Sequence, residues 1–171
     1  MAKRKGGRSR LVPEDRVPIN ITTGNAEVAW SFANFALDYA TRLHWPVFPI
    51  VPGQKNPLTA HGHLDASIDK EQIEAWWGEW PTANIGSPTG LVFDVIDVEM
   101  EHLDAFLKSM DDPTAYPCVR TPSGGLHLFV AVTGMRCQRC WFGDFKGRGG
   151  YVLLPPSQVK GSLYHDYKGC D

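Results

Sequence analysis

The chain predicts an α/β or α+β domain, with mixed sheets flanked by helices. Two observations carry that prediction: apolar residues recur at helical spacing in three segments, and short apolar strands bounded by Gly and Pro turns fall between them. A third bounds its size. With 171 residues and 43% hydrophobic content the chain can bury one good core, so a single compact unit is expected over residues 25–171.

Residues 1–24 are polar, bear Pro and Gly and lack periodicity, as expected of a flexible lead-in. From Ala26 to Leu43 apolar residues return at Trp30, Ala33, Ala36, Leu37, Ala40 and Leu43, which predicts a first helix with Asn25 as its N-cap. Pro46 to Ile50 reads as a short strand closed by the Pro52-Gly53 turn. A second helix starts at Asp69, whose carboxylate can cap it while Gln72 reaches back, and carries Ile73, Trp76 and Trp77 until Pro81 stops it. Both tryptophans are expected in the core, given their helical spacing. Leu91 to Glu99 predicts a strand, and Leu103, Phe106, Leu107 and Met110 mark a third helix of about three turns. Strands over Leu126–Val132 and Gly150–Leu154 follow the turn signals Thr121-Pro-Ser-Gly-Gly125 and Gly147-Arg-Gly-Gly150.

Composition excludes several classes of function. No apolar run nears the roughly 20 residues of a membrane span, and the basic start lacks the apolar stretch of a secretory signal, so a soluble cytoplasmic protein is expected. The four cysteines, Cys118, Cys137, Cys140 and Cys170, are expected as reduced thiols. Cys137 and Cys140 form a Cys-x-x-Cys hook, but no second hook completes a tetrahedral site, and zinc is not expected. The net charge of −2 hides an asymmetry: Lys3, Arg4, Lys5, Arg8 and Arg10 crowd the first ten residues, leaving 12 basic against 19 acidic side chains elsewhere. A body so acidic does not capture nucleic acid broadly. Phosphate contacts must come from a local patch, from metal ions, or from the tail, where Lys3, Arg4 and Lys5 can add sequence-blind affinity.

The segment Leu91-Val-Phe-Asp-Val-Ile-Asp-Val-Glu99 places charge in a strand that otherwise wants burial. Strand alternation sets Asp97 and Glu99 on one face and Asp94 on the other, where a structural role is expected. Two neighbouring carboxylates repel, and a hard divalent cation relieves that repulsion through oxygen ligands. In Leu126-His-Leu-Phe-Val130 the leucines and Val130 face a core, so His127 looks the other way together with Phe129. The glycines just before it let the backbone approach something bulky, such as a triphosphate. A strand through Asp144 would align that acid with Lys146, pairing a metal ligand with a phosphate-binding base.

In order along the chain these elements resemble the N-terminal bifunctional primase-polymerase domain of the archaeo-eukaryotic primase superfamily, common in plasmids and phages. The resemblance runs from about Phe35 to Tyr164, through Ala36-Leu-Asp-Tyr-Ala40, Trp45-Pro-Val-Phe-Pro49, Gly53-Gln-Lys-Asn-Pro57, His61-Gly-His-Leu-Asp-Ala66, Ile73-Glu-Ala-Trp-Trp77, Pro81-Thr-Ala-Asn-Ile-Gly86, Thr121-Pro-Ser-Gly-Gly125 and Gly149-Gly-Tyr-Val-Leu-Leu-Pro-Pro-Ser157. It implies a palm related to the RNA-recognition sheet, an N-terminal α/β module, and an active-site cleft between them. It implies Asp97, Glu99 and Asp144 as ligands of a two-metal Mg²⁺ or Mn²⁺ site and His127 as the fourth catalytic group. His127, Ser123, Lys146 and Lys55 would bind the nucleotide. Two departures stand out: Glu99 replaces the usual second Asp, and Lys146 stands where an arginine is frequent, which removes a bidentate phosphate contact. The implied activity is template-directed nucleotidyl transfer from ribo- or deoxyribonucleoside triphosphates to a 3′ hydroxyl on single-stranded DNA. A replicative helicase or a separate helper chain is the implied protein partner. The residues leave two alternatives open, a catalytically inactive single-strand-binding module of the same fold and a metal-dependent nuclease.

Overall fold

The computed structural model describes residues 31–112 and 115–166. The tail with Lys3, Arg4 and Lys5, the expected cap Asn25, Trp30 and Cys170 lie outside the described residues. Helix α1 spans Phe32–Arg42 and starts later than its periodicity predicts. Ser31 has extended backbone, and its hydroxyl accepts from the Asn34 N–H at 3.2 Å, so Ser31 is the N-cap. Strand β1 (Phe48–Ile50) follows, then a 3₁₀ turn at Gly62–Asp65 and helix α2 (Lys70–Glu79), where Asp69 accepts from the Gln72 N–H at 2.8 Å as expected, while the Asp69 N–H donates to the Ser67 hydroxyl at 2.9 Å in place of the Gln72 side chain.

Strands β2 (Asn84–Pro88) and β3 (Asp94–Val98) lead to a 3₁₀ turn, Met100–His102, that runs into α3 (Leu103–Lys108). The remaining strands are β4 (Cys118–Arg120), β5 (Leu126–Val130), β6 (Gln138–Cys140), β7 (Gly143–Lys146), β8 (Tyr151–Leu154), β9 (Gln158–Val159), β10 (Ser162–Leu163) and β11 (His165–Asp166). They form sheets of order β1-β2-β8, β10-β9 and β11-β4-β5-β3-β7-β6. Every pairing between these strands is antiparallel, so the fold is α+β and the sheets are not mixed. No helix among the described residues is long and apolar enough to cross a membrane.

Two cores sandwich the six-stranded sheet. On one face, α1, α2 and the three-stranded sheet pack against Phe93, Val95, Val119 and Phe129. Trp45 is the wedge of that interface, with ring centroids 4.4 Å from Phe93 and 5.4 Å from Phe129. On the other face, Val98, Leu126 and Leu128 pack with Leu103 and Phe106 of α3. Because β3 is covered on both sides, its apolar residues Val95, Ile96 and Val98 serve both faces instead of one, and each buried aliphatic side chain there stabilises the fold by about 1.5–3 kcal/mol.

Several boundaries depart from the sequence-based reading. Leu91 and Val92 are exposed and precede β3, because Gly90, at φ 82°, turns the chain and its N–H donates to the Phe93 carbonyl at 2.8 Å. Helix α3 is six residues, not three turns; the Ser109 hydroxyl donates to the Phe106 carbonyl at 2.6 Å and helps end it. Strand β2 was not anticipated. Its Asn-Ile-Gly-Ser-Pro sequence looks like a turn, yet it is buried throughout as the central strand of its sheet. Gly86 lies so close to Phe48 that a Cβ there would sit 2.6 Å from the ring, and the Asn84 amide donates to the Gln54 and Gln158 carbonyls.

Candidate active site

Strand β3 is the centre of the site. Asp97 pairs in register with His127 on β5 and with Asp144 on β7, and Asp144 in turn pairs with Arg139 on β6. One row across four neighbouring strands thus reads His127, Asp97, Asp144, Arg139. It lies on the face shared with Val95 and Phe129, the one that looks toward the N-terminal module. Glu99 lies just beyond the end of β3 with extended backbone, and so continues the Asp97 side of the strand. Asp94 points into the other face, fully buried, where its Oδ2 accepts from both the N–H and the hydroxyl of Thr133 at 2.7 Å; it is structural, as expected.

His127 is buried, and its Nε2 lies 3.4 Å from Asp97 Oδ1. Burial works against the Asp97 carboxylate, yet the hydrogen bond and charge of His127, with Lys146 and Lys55 beyond, outweigh it and hold Asp97 below the usual carboxylate pKa. Lys146 Nζ contacts Asp144 Oδ2 at 2.7 Å, the alignment expected if a strand ran through these residues. Lys55 comes from the loop after β1, and its carbonyl accepts from the Tyr151 hydroxyl at 3.0 Å. Ser123, exposed on the turn before β5, lies 3.1 Å from the Thr121 hydroxyl. The glycines of that turn have partners within the fold: a Cβ on Gly125 would sit 2.3 Å from the Val98 carbonyl oxygen, and one on Gly124 would sit 2.8 Å from Met100 Sδ. Their lack of side chains lets the turn dock on the end of β3, which is a different use from the close approach to a triphosphate that the sequence suggests.

Two residues near this row escaped the sequence reading. Arg139 NH1 lies 2.8 Å from Glu99 Oε1 and 3.5 Å from Asp144 Oδ1, and the hydrogen bond to Glu99 raises its already high pKa. Tyr164 packs on His127 with ring centroids 5.7 Å apart, and burial first, then the charge of Asp97, pushes its hydroxyl up to about 12. The short β6–β7 hairpin sets Arg139 opposite Asp144, but its contact with Glu99 and the packing of Tyr164 on His127 come from segments far apart in the chain.

The three acids share one side of the sheet, but their carboxylates are not gathered as closely as a loaded metal site would hold them. Among the described residues, Glu99, Glu101 and His102 form the set of metal-capable side chains whose ligand atoms all lie within 4.8 Å of one another. Bare carboxylates repel, and here the Arg139 guanidinium stands between Glu99 and Asp144 as a cation would. Two carboxylate oxygens that accept from one guanidinium, beside a third acid, are the environment that a hard divalent cation also prefers, so the residues present fit such an ion.

Other expectations resolve plainly. Trp77 is buried and donates its indole N–H to the Ala83 carbonyl at 3.1 Å, while Trp76 is half-buried against the same core. Cys118 is buried, Cys137 exposed and Cys140 half-buried, and no disulfide joins them among the described residues.

No curated protein matches the chain. The bifunctional DNA primase/polymerase N-terminal domain matches residues 36–170, a span that contains Asp97, Glu99, His127, Asp144 and every buried core residue except Phe35. With a match over the greater part of its length and an α+β fold beneath it, the chain belongs to the bifunctional DNA primase/polymerase N-terminal (Prim-Pol) family.

Proposed function

We propose that this chain joins nucleotides on a single-stranded DNA template, with Asp97, Glu99 and Asp144 holding one or two divalent cations. The observation that carries the reading is the register of β5, β3 and β7, which sets His127, Asp97 and Asp144 side by side in one row. In the reaction a 3′ hydroxyl attacks the α-phosphate of a nucleoside triphosphate, forming a phosphodiester bond as the bond to pyrophosphate breaks. Bound Mg²⁺ or Mn²⁺ would supply the positive charge that activates the nucleophile and neutralises the leaving oxygens.

The chain's own side chains do the rest by position and charge. His127 holds Asp97 in place and charged, and Tyr164 fixes the imidazole by packing on it. Lys146 and Lys55 supply the positive field for the triphosphate, with Ser123 on the adjoining turn as a further donor. Residues 25–171 act as one domain in this reading, supported by the core that Phe93, Val95, Val119 and Phe129 share with the N-terminal module. The test is primer synthesis and extension on single-stranded template with labelled nucleotides and Mg²⁺ or Mn²⁺, with and without a primer. Full activity in Asp97→Ala would end the site assignment, and loss of DNA without any need for nucleoside triphosphate would favour a nuclease instead.

A further inference from the structure

Arg139 has no part in the reaction as described, yet it makes the shortest contact to Glu99 and a second contact to Asp144. We infer that Arg139 is a positioning residue with two stations: without metal it is the resident counter-ion of Glu99 and Asp144, and with metal bound its guanidinium turns to the phosphates of the incoming nucleotide. The inference rests on the metal-site reading of Asp97, Glu99 and Asp144.

Four observations support it. The two contacts, 2.8 Å to Glu99 Oε1 and 3.5 Å to Asp144 Oδ1, come from one guanidinium nitrogen, so a single cationic group bridges two of the three acids. The other oxygen of Asp144 is held by Lys146 at 2.7 Å, which gives that acid a cation at each oxygen. Arg139 sits on β6, the edge strand of the six-stranded sheet, and its side chain is 62% exposed. It can therefore swing without moving backbone or opening a core. Finally, the oxygens it holds are those a metal needs. A dication held by Glu99 and Asp144 would compete for those lone pairs and repel the guanidinium, favouring its departure. What it leaves toward is set by geometry and chemistry. Rooted opposite Asp144 in register, it stays beside the row, and its planar fork suits the phosphate oxygens that the nucleotide brings there. Lys146 and Lys55 offer point charges at that place and no fork.

This predicts a split that a merely structural arginine would not produce. Removing Arg139 should strengthen metal binding, because a competing cation is gone, and weaken triphosphate binding, because a phosphate ligand is gone. The experiment titrates Mn²⁺ into wild type, Arg139→Ala and Arg139→Lys, following free Mn²⁺ by electron paramagnetic resonance. It then measures binding of a non-hydrolysable deoxynucleoside triphosphate at saturating Mn²⁺. Arg139→Ala should bind Mn²⁺ more tightly, by at most about fivefold for each exposed ion pair lost, and the triphosphate more weakly. Arg139→Lys should restore the wild-type Mn²⁺ affinity but not the triphosphate affinity. Unchanged or weaker Mn²⁺ binding in Arg139→Ala, with wild type binding normally, overturns the inference alone. Wild type and Asp97→Asn binding Mn²⁺ equally, or neither binding it, overturns the metal-site reading and the inference with it.

Discussion

Gly143 is the position where a single methyl group should cost this protein more function than stability. It opens β7 next to Asp144 with φ at 141°, and a Cβ built there would lie 2.2 Å from the Asp97 carbonyl oxygen and 3.2 Å from the Glu99 N–H nitrogen. Real Cβ contacts stay beyond 3.0 Å, so Gly143→Ala must push β7 away from β3 by about the 0.8 Å that separates 2.2 from 3.0 Å. The displacement falls on the strand pair that sets Asp97 beside Asp144. Misplacing reacting groups by about 1 Å can cost 10²-fold in rate, and a non-glycine residue in this backbone region costs about 1–3 kcal/mol. For a domain of this size that corresponds to a Tm lower by about 2–12 °C. The assay is single-turnover primer extension at saturating Mn²⁺, well below the variant's Tm, alongside thermal unfolding. Gly134→Ala is the control: Gly134 has φ 78° with nothing within 4 Å of its Cβ position, so it carries the backbone strain without the clash. Gly143→Ala should lose about 100-fold in extension while Gly134→Ala loses stability alone. A Gly143→Ala protein that extends primers at the wild-type rate would refute the β3–β7 geometry on which the site depends.

Asp97 is held below the usual carboxylate pKa, so its folded-state pKa lies under the unfolded value near 3.9. The stability it contributes is then present above about pH 4 and is lost as pH falls through the folded pKa; Asp97→Asn should show a shallower loss of Tm on acidification than wild type. Tyr164 has the opposite sign: raised to about 12, its contribution is complete below about pH 10 and fades as pH rises toward 12, a dependence that Tyr164→Phe should remove while keeping extension activity. Tyr164→Ala should instead lower both Tm and activity, since the ring that packs on His127 is gone. Thr133→Val deletes one of the two hydrogen bonds to buried Asp94 and should cost about 1.5–3 kcal/mol in chemical unfolding, with primer extension unaffected.

Much of the site was legible because strand alternation is local. The spacing of Asp97 and Glu99 puts them on one side of β3, and the leucines beside His127 turn it to the opposite face from theirs, whatever the rest of the chain does. The cap at Asp69 was legible for the same reason: a carboxylate and the N–H three residues on need nothing distant. Where local preference conflicted with packing, the sequence misled. Strand β2 consists of turn-forming residues, and it is a strand only because Phe48 occupies the space a side chain on Gly86 would take and because the turn at Gln54 and Gln158 of β9 satisfy Asn84.

By itself, then, the sequence determined which side chains carry charge on which face of each strand, and, through many short matches in order, the family. The tertiary structure decided which of those faces meet. The row from His127 through Asp97 and Asp144 to Arg139 depends on the register of four strands, with β3 far in sequence from both of its neighbours β5 and β7, and register is set by how whole faces bury against the two cores. The β3–β7 pairing brought Arg139 within reach of Glu99, and the segment before β11, which pairs with β4, brought Tyr164 onto the histidine. No local pattern encodes such neighbours, because the free energy that selects them comes from burying surfaces contributed by segments far apart in the chain.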